Sequence, residues 1–205
     1  MSFEMWWLFL LASLGLSLSP GPNGLLALTH GALHGQKKTL FTILGGASGF
    51  LILIACSFVG IAALLQASAS WLLILKWLGG AYLVFLGITV WRSPAIDLMA
   101  DSDQQAHVVP SAHLFRQGAM AALSNPKVLL FFAAFLPQFI DPTRSLWLQF
   151  AVMAFTFVMI EIVVEYLIAG MAGRIRPWLA RVGKQFNRSC GGLFVLIGAA
   201  LPLRS

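Results

Sequence analysis

Charge is what this chain of 205 residues has least of. Only 10% of its residues are charged, against about 25% in a soluble globular domain. Hydrophobic residues make up 59%, and the mean hydropathy is +0.86. That balance excludes a soluble domain and leaves an integral membrane protein. Cysteine is nearly absent as well. Cys56 and Cys190 fall within apolar runs, without the CxxC spacing of a redox or zinc site, and read as small buried hydrophobes. The four histidines, His30, His34, His107 and His113, lie in or beside the gaps between apolar runs, which leaves no ligand set for a metal at mid-membrane. No cofactor is expected. Acidic residues are outnumbered, 7 against 13 Lys and Arg, for a net charge of +6. The basic residues sit between the apolar runs, where orientation signals lie, so the charge implies topology and no nucleic-acid partner.

What is present is a series of apolar runs. A span needs about 20 apolar residues plus a turn, so the chain has room for roughly six. They are expected at about Trp6 to Leu28, Leu40 to Leu65, Trp71 to Trp91, Gly118 to Pro137, Leu146 to Ala172 and Ser189 to Leu203. The opening segment resembles a signal peptide but has Glu4 where a basic region belongs and lacks a small-x-small cleavage site, so it reads as a retained first span. The expected gaps are a short basic loop from His30 to Lys38, an uncharged turn from Gln66 to Ser70, a long polar loop from Arg92 to Arg116, a turn around Pro137 to Pro142 with Asp141, and a basic loop from Arg174 to Arg188. Within the last, Trp178 and Leu179 suggest a short amphipathic helix at the interface. Lys and Arg concentrate in the gaps after spans one, three and five, while Lys76, Arg144 and Arg204 fall on the other side. The excess of positive charge on the inner side predicts cytoplasmic odd-numbered gaps and both termini outside.

Two of the runs are interrupted. Ser19-Pro20-Gly21-Pro22-Asn23 breaks the first, and Ser124-Asn125-Pro126-Lys127 breaks the fourth. Proline deletes a helical hydrogen bond, and an unsatisfied backbone group in lipid costs several kcal/mol, so such breaks belong where backbone lines a polar cavity. In each, Ser19 or Asn125 can cap and Pro20 or Pro126 suits the first helical position. The following half-helix then presents free N–H groups and a partial positive charge near the midplane, suited to a carboxylate. Gly79-Gly80-Ala81-Tyr82-Leu83-Val84-Phe85 is echoed by Gly191-Gly192-Leu193-Phe194-Val195-Leu196-Ile197 at a similar offset. Three spans per half force the halves into the membrane from opposite sides. The predicted fold is therefore an all-α polytopic membrane protein: one transmembrane transporter domain over residues 1–205, six helices in a 3+3 inverted repeat (about 1–95 and 112–205), with the first helix of each half broken.

Read this far, the chain resembles the LysE/RhtB family of bacterial amino-acid exporters. The resemblance rests on SPGPN at Ser19 to Asn23, KWLGGAYLVFLG at Lys76 to Gly87, NPK at Asn125 to Lys127, FFAAFLPQF at Phe131 to Phe139 and GGLFVLIGAAL at Gly191 to Leu201. It covers essentially the whole chain, and the homoserine/threonine-type branch is nearest in motif order. It implies efflux of amino acids or their derivatives across the bacterial inner membrane, driven by the proton gradient, and no enzymatic role. Glu165, one turn after Glu161, is a second acid where the family pattern has one.

Lys127, Glu161 and Glu165 are the charged residues well inside expected spans, and intramembrane ionisable groups mark pathways and relays. Lys127 lies roughly 14 Å deep in a core about 30 Å thick. The expected substrate site is Ser19, Pro20, Gly21, Pro22, Asn23, Asn125, Pro126, Lys127 and Glu161, with Lys127 and the half-helix N-termini holding a carboxylate. Glu161 and Glu165 are the expected proton-coupling pair. They share a helix face at i and i+4, so at least one should readily bind a proton. A Lys–Glu pair that only fixes helix register remains the plainer reading of the same residues. The expected partners are an amino-acid substrate, protons and the lipid bilayer, and a homo-oligomer is compatible with them. Export of a metal cation, and less so a membrane thiol-electron relay through Cys56 and Cys190, stand as alternatives.

Overall fold

The computed structural model describes residues 1–19, 21–67, 70–92 and 109–200. They form eight helices: α1 (Phe3–Leu18), α2 (Pro22–His34), α3 (Gln36–Ala67), α4 (Ser70–Arg92), α5 (Ser111–Leu123), α6 (Pro126–Phe139), α7 (Leu146–Gly170) and α8 (Ala172–Ala200). The all-helical class is as the sequence requires, since only helices or closed barrels satisfy their backbone within lipid. Among the described residues, two helices are long and apolar enough to cross a membrane, Gln36–Ala63 within α3 and α7. The pair α1 and α2 meets the same criteria as one span bent by 55°.

Local chemistry sets these boundaries. The Ser2 hydroxyl accepts from the Met5 N–H to start α1, Ser145 does the same for Leu148 at α7, and Asn125 caps α6. Only Gly35 separates α2 from α3. Its φ of 79° lies in the left-handed region that a side chain disfavours, so a helix meeting a glycine there turns back at once. The expected loop from His30 to Lys38 is thus a single residue, because Ala32, Leu33 and Gln36 favour helix on either side. Three more expected gaps are shorter than predicted. Ser111 to Arg116 already belongs to α5, whose Leu114, Gly118 and Ala122 form a buried i, i+4 stripe. Pro137 lies inside the last turn of α6, leaving Asp141 to Ser145 as the turn. The basic segment from Arg174 to Arg188 is helical, as expected of Trp178 and Leu179, but it is continuous with the last run as α8, its Arg, Leu, Ala, Lys and Gln being strong helix formers. In the turn expected from Gln66 to Ser70, Gln66 and Ala67 end α3 and Ser70 opens α4, while residues 68–69 lie outside the described residues. So do Pro20, Arg204 and the acidic loop with Asp97, Asp101 and Asp103.

Helices meet where side chains are smallest. α3 packs most extensively on α5, and α4 on α8. A methyl group on Gly45 would overlap the Phe115 carbonyl, and one on Gly118 the Thr42 carbonyl. At the other contact, a Cβ on Gly87 would come within 2.6 Å of the Gly191 carbonyl. Without a hydrophobic drive between helices in lipid, such close backbone approach supplies the association. Beside these seams lies an aromatic cluster: Phe9 of α1 contacts Phe139 at 5.4 Å between ring centroids, Phe131 contacts Phe135 at 4.2 Å, and Phe132 contacts Phe157 of α7 at 4.7 Å.

The outside is as apolar as the core. Trp7, Trp77, Phe85, Trp147, Phe155 and Leu196 are exposed, while Ser13, Ser17, Asn23, His30, Thr42, Glu161 and Glu165 are buried. This inverts the soluble pattern, and polar groups inside mark function. It also corrects two readings of apolar runs. Cys190 is buried, but Cys56 is exposed, because an apolar run in lipid does not reveal which face points inward. His30, expected beside a loop, is buried within α2.

Candidate functional site

The first break begins where α1 ends: the Ser19 N–H donates to the Gly15 carbonyl and the chain turns extended. The next helix starts two residues later than expected. Gly21 is its N-cap, at φ −151° and ψ 172°, and Pro22 opens the first turn. The start at Pro22 corrects the expected Ser19 cap and Pro20 position: Ser19 closes α1 instead, and the second proline equally lacks an N–H to leave unpaired. No side chain caps this N-terminus. At the second break the expectation holds, with Asn125 Oδ1 accepting from the Lys127 N–H at 3.1 Å and Pro126 at the first helical position.

Lys127 joins the two breaks. Its Nζ donates to the Ser19 carbonyl at 2.9 Å and to the Leu16 carbonyl at 3.2 Å, so the ammonium satisfies backbone acceptors released where α1 stops. A Cβ on Gly21 would stand 3.5 Å from that nitrogen. Glu161 of α7 faces the same place, with Ser17 and Glu165 as its polar neighbours and Lys127 as the cation acting on it. Lys127 and Glu161 form no ion pair within 4 Å; among the described residues that contact belongs to Arg144 and Asp141 at the surface. A register-fixing Lys–Glu pair is therefore not what the lysine is engaged in here.

Between these groups is a cavity of about 20 Å³. Ser17, Ser19, Gly21, Asn23, Asn125, Lys127 and Glu161 line it, with Phe50 and Val128 as apolar walls. It has room for about one water molecule, far less than the ~300 Å³ of the smallest ordinary ligand pockets. As it stands the cavity is too small to hold an amino acid. Asn23 stands at its edge, its Nδ2 donating to the Gly118 carbonyl at 3.4 Å. Glu165 lies one turn beyond Glu161, outside the cavity lining, with Oε2 at 3.8 Å from where a Gly46 Cβ would be.

Of the sequence-predicted residues, Ser19, Gly21, Asn23, Asn125, Lys127 and Glu161 thus converge. Pro22 is exposed and acts through the backbone, and Pro126 through its helix position. Pro20 lies outside the described residues. Sequence reasoning missed Ser17, Phe50 and Gly46. Ser17 had a signal, since Ser13 and Ser17 repeat at i, i+4 inside an apolar run and so share a face. Phe50 and Gly46 had none beyond the small-residue stretch of α3. Buried polar atoms without a partner gather here, at Ser13 Oγ, Ser17 Oγ, Ser19 Oγ, Asn23 Oδ1 and Glu165 Oε1. Buried polar groups as a rule find a partner in protein or in ordered water. Among the described residues, no three His, Cys, Asp or Glu side chains converge as a metal site would require.

The arrangement offers a carboxylate ligand one ammonium and an uncapped helix N-terminus, and offers a cation the Glu161 carboxylate. Comparison with known proteins agrees with a translocator. Residues 14–205 match the family of LysE type translocators. The homoserine/homoserine lactone efflux protein of Salmonella typhimurium is 37% identical over 204 residues, 98% of this chain and 97% of that protein. An uncharacterized membrane protein of Vibrio cholerae is 34% identical, covering 98% of each chain. A leucine efflux protein of Enterobacter sp. is 29% identical, over 95% of this chain and 93% of that one. No solved structure matches. The family match takes in both helix breaks and both glutamates, and the chain belongs to the LysE type translocator family, whose efflux members export amino acids or their derivatives.

Proposed function

We propose that this protein is a secondary active exporter of a small amino acid or its derivative, coupled to protons, in the bacterial inner membrane. The observation that carries this reading is the Lys127 ammonium, which ties the second helix break to the first beside a buried carboxylate. When the helices part, a substrate carboxylate takes the place of the Ser19 and Leu16 carbonyls at Lys127 and accepts from the uncapped N–H groups of α2. The substrate's ammonium group meets Glu161, which releases its proton to the pathway beyond and pairs with the ammonium as a carboxylate. Glu165, one turn away, modulates that exchange. The relatives' names make homoserine, homoserine lactone and leucine the first substrates to try.

The helix pairing supports a 3+3 inverted repeat, and the distribution of Lys and Arg supports both termini outside. Each half supplies a broken first helix, α1–α2 and α5–α6, then a long helix, α3 and α7, then a third, α4 and α8. The two most extensive contacts both join one half to the other. Purified protein in liposomes preloaded with homoserine, homoserine lactone or leucine should show counterflow of at least one of them. Glu161→Gln should abolish uphill, proton-driven export while leaving exchange. Uphill export by that variant with the wild-type pH profile would make Glu161 structural and end the coupling role given to it here.

A further inference from the structure

His30 has no part in the site described above, yet it is buried, and a buried imidazole in a membrane helix needs a reason. Its Nδ1 lies 2.7 Å from the Thr42 hydroxyl of α3. Two rulers locate this pair relative to Glu165. Along α3, Thr42 is four residues before Gly46, and Gly46 is the position that abuts Glu165 Oε2. Along α7, Glu165 is four residues before Ala169, and Ala169 is the residue whose backbone meets Gly31, the neighbour of His30. Each ruler gives one helical turn, roughly 6 Å along the axis.

Beyond His30 the polar line continues outward. Its ring centroid is 5.4 Å from that of His34, which is half-buried at the end of α2, and the exposed His113 of α5 lies close enough to act on it electrostatically. Burial thus relaxes stepwise from Glu161 and Glu165, through His30, to His34 and His113 at the surface. Glu165 Oε1 is buried without a partner at the inner end of this line.

We propose that His30, oriented by Thr42, is the relay through which the coupling proton released by Glu161, taken up by Glu165 one turn away, leaves for the cytoplasm. The proposal deepens the proton-coupled export reading and its orientation, and rests on both. In the tautomer whose Nδ1–H donates to Thr42 Oγ1, Nε2 keeps its lone pair. The O–H bond of protonated Glu165 breaks as an N–H bond forms at Nε2, directly or through one water. The imidazolium then passes one proton to water at the His34 and His113 vestibule, which leaves Glu165 ionised and the ring neutral. The titratable groups acting on His30 are His34 on its own helix and His113 on α5, with Lys38 of α3 behind His34, and Glu165 on α7 stands one helical turn away by both rulers.

The test uses the full chain in liposomes with an internal pH dye and homoserine as substrate, or leucine if homoserine is not carried. Wild type should acidify or alkalinise the lumen as substrate moves against it. His30→Gln should slow this coupled proton movement by about tenfold or more, in the range that general acid–base groups contribute. Substrate exchange at equal pH on both sides, which needs no net proton release, should change less than about twofold, well below such acid–base effects. Thr42→Val keeps the imidazole but frees its orientation, and should give a smaller loss of the same kind. It also tests the relay if His30→Gln does not fold. Coupled proton movement at the wild-type rate and pH profile in both variants overturns the relay alone. Wild-type exchange without any proton movement overturns the coupling reading, and the relay with it.

Discussion

The two helix breaks look alike in sequence and are held in different ways. At the second, everything needed is local: the Ser124 N–H reaches the Met120 carbonyl, the Asn125 N–H reaches the Ala122 carbonyl, and the Asn125 side chain caps Lys127. At the first, no side chain caps α2, and the carbonyls at the end of α1 depend on Lys127 from the other half of the chain. A self-satisfied break is an anchor. A break satisfied from outside can be released by whatever competes for its partner, and a substrate carboxylate is such a competitor. The expectation that follows from the proposed export is that α1 and α2 move against α5 and α6.

The sharpest way to break this comparison is Lys127→Met, which keeps the side chain's length and removes its donors. Transport should be nearly lost. The fold should also weaken, since hydrogen bonds to charged groups contribute about 1.5–3 kcal/mol each, offset in part because no ammonium is then buried. Flux in liposomes and thermal unfolding in detergent read the two effects, and wild-type flux would mean that the bridge is incidental. Next in size are the prolines. With no cap behind it, Pro22→Ala should impair transport more than Pro126→Ala, where Asn125 still marks the helix start, and both variants should stay folded. Equal losses would remove the distinction between anchor and moving part.

Asn125→Ala is expected to be milder. Loss of the cap costs about 1 kcal/mol of stability, visible as a lower unfolding midpoint, with export reduced rather than abolished. The smallest effect lies outside the spans, at the Asp141 turn. There the Thr143 hydroxyl donates to Asp141 Oδ1 at 2.6 Å and the Thr143 N–H donates to the same oxygen at 3.0 Å, which holds the carboxyl below its ordinary range. Because the folded value is depressed, the contribution of this turn is complete above the unfolded value of about 3.9 and is lost only as pH falls through the folded one. Stability near neutral pH should therefore fall slightly in Thr143→Ala, with the difference from wild type closing as pH drops through the folded value, while an NMR titration of Asp141 shifts upward. A titration identical to wild type would show that the hydroxyl has no hold on it.

How much was legible follows from how local each feature is. Proline's missing N–H and asparagine's capping are properties of a few consecutive residues, so both breaks could be read directly, and so could the Asn125 cap. Glu161 and Lys127 were legible because charge inside an apolar run has few explanations. The destination of Lys127 was not, since its carbonyl partners lie 111 and 108 residues earlier and only packing brings them near. Faces were illegible for the same reason that Cys56 was misread: with lipid outside and side chains inside, both sides of a helix are apolar. The connections were overestimated because polar composition was taken for loop, whereas Ser111 to Arg116 and Arg174 to Arg188 are helix.

Distance along the chain also has a consequence in time. The acceptors at Leu16 and Ser19 are synthesised first, and the amine that satisfies them arrives more than a hundred residues later. At about 5–20 residues per second, the end of α1 waits roughly 5–20 s for its partner. During that interval the opening helix has no internal answer for those two oxygens, and in lipid such oxygens need one. The amino-terminal half therefore enters the membrane as an unfinished object, kept near water or held by the insertion machinery, and it becomes a settled part of the bilayer only when residue 127 follows it in.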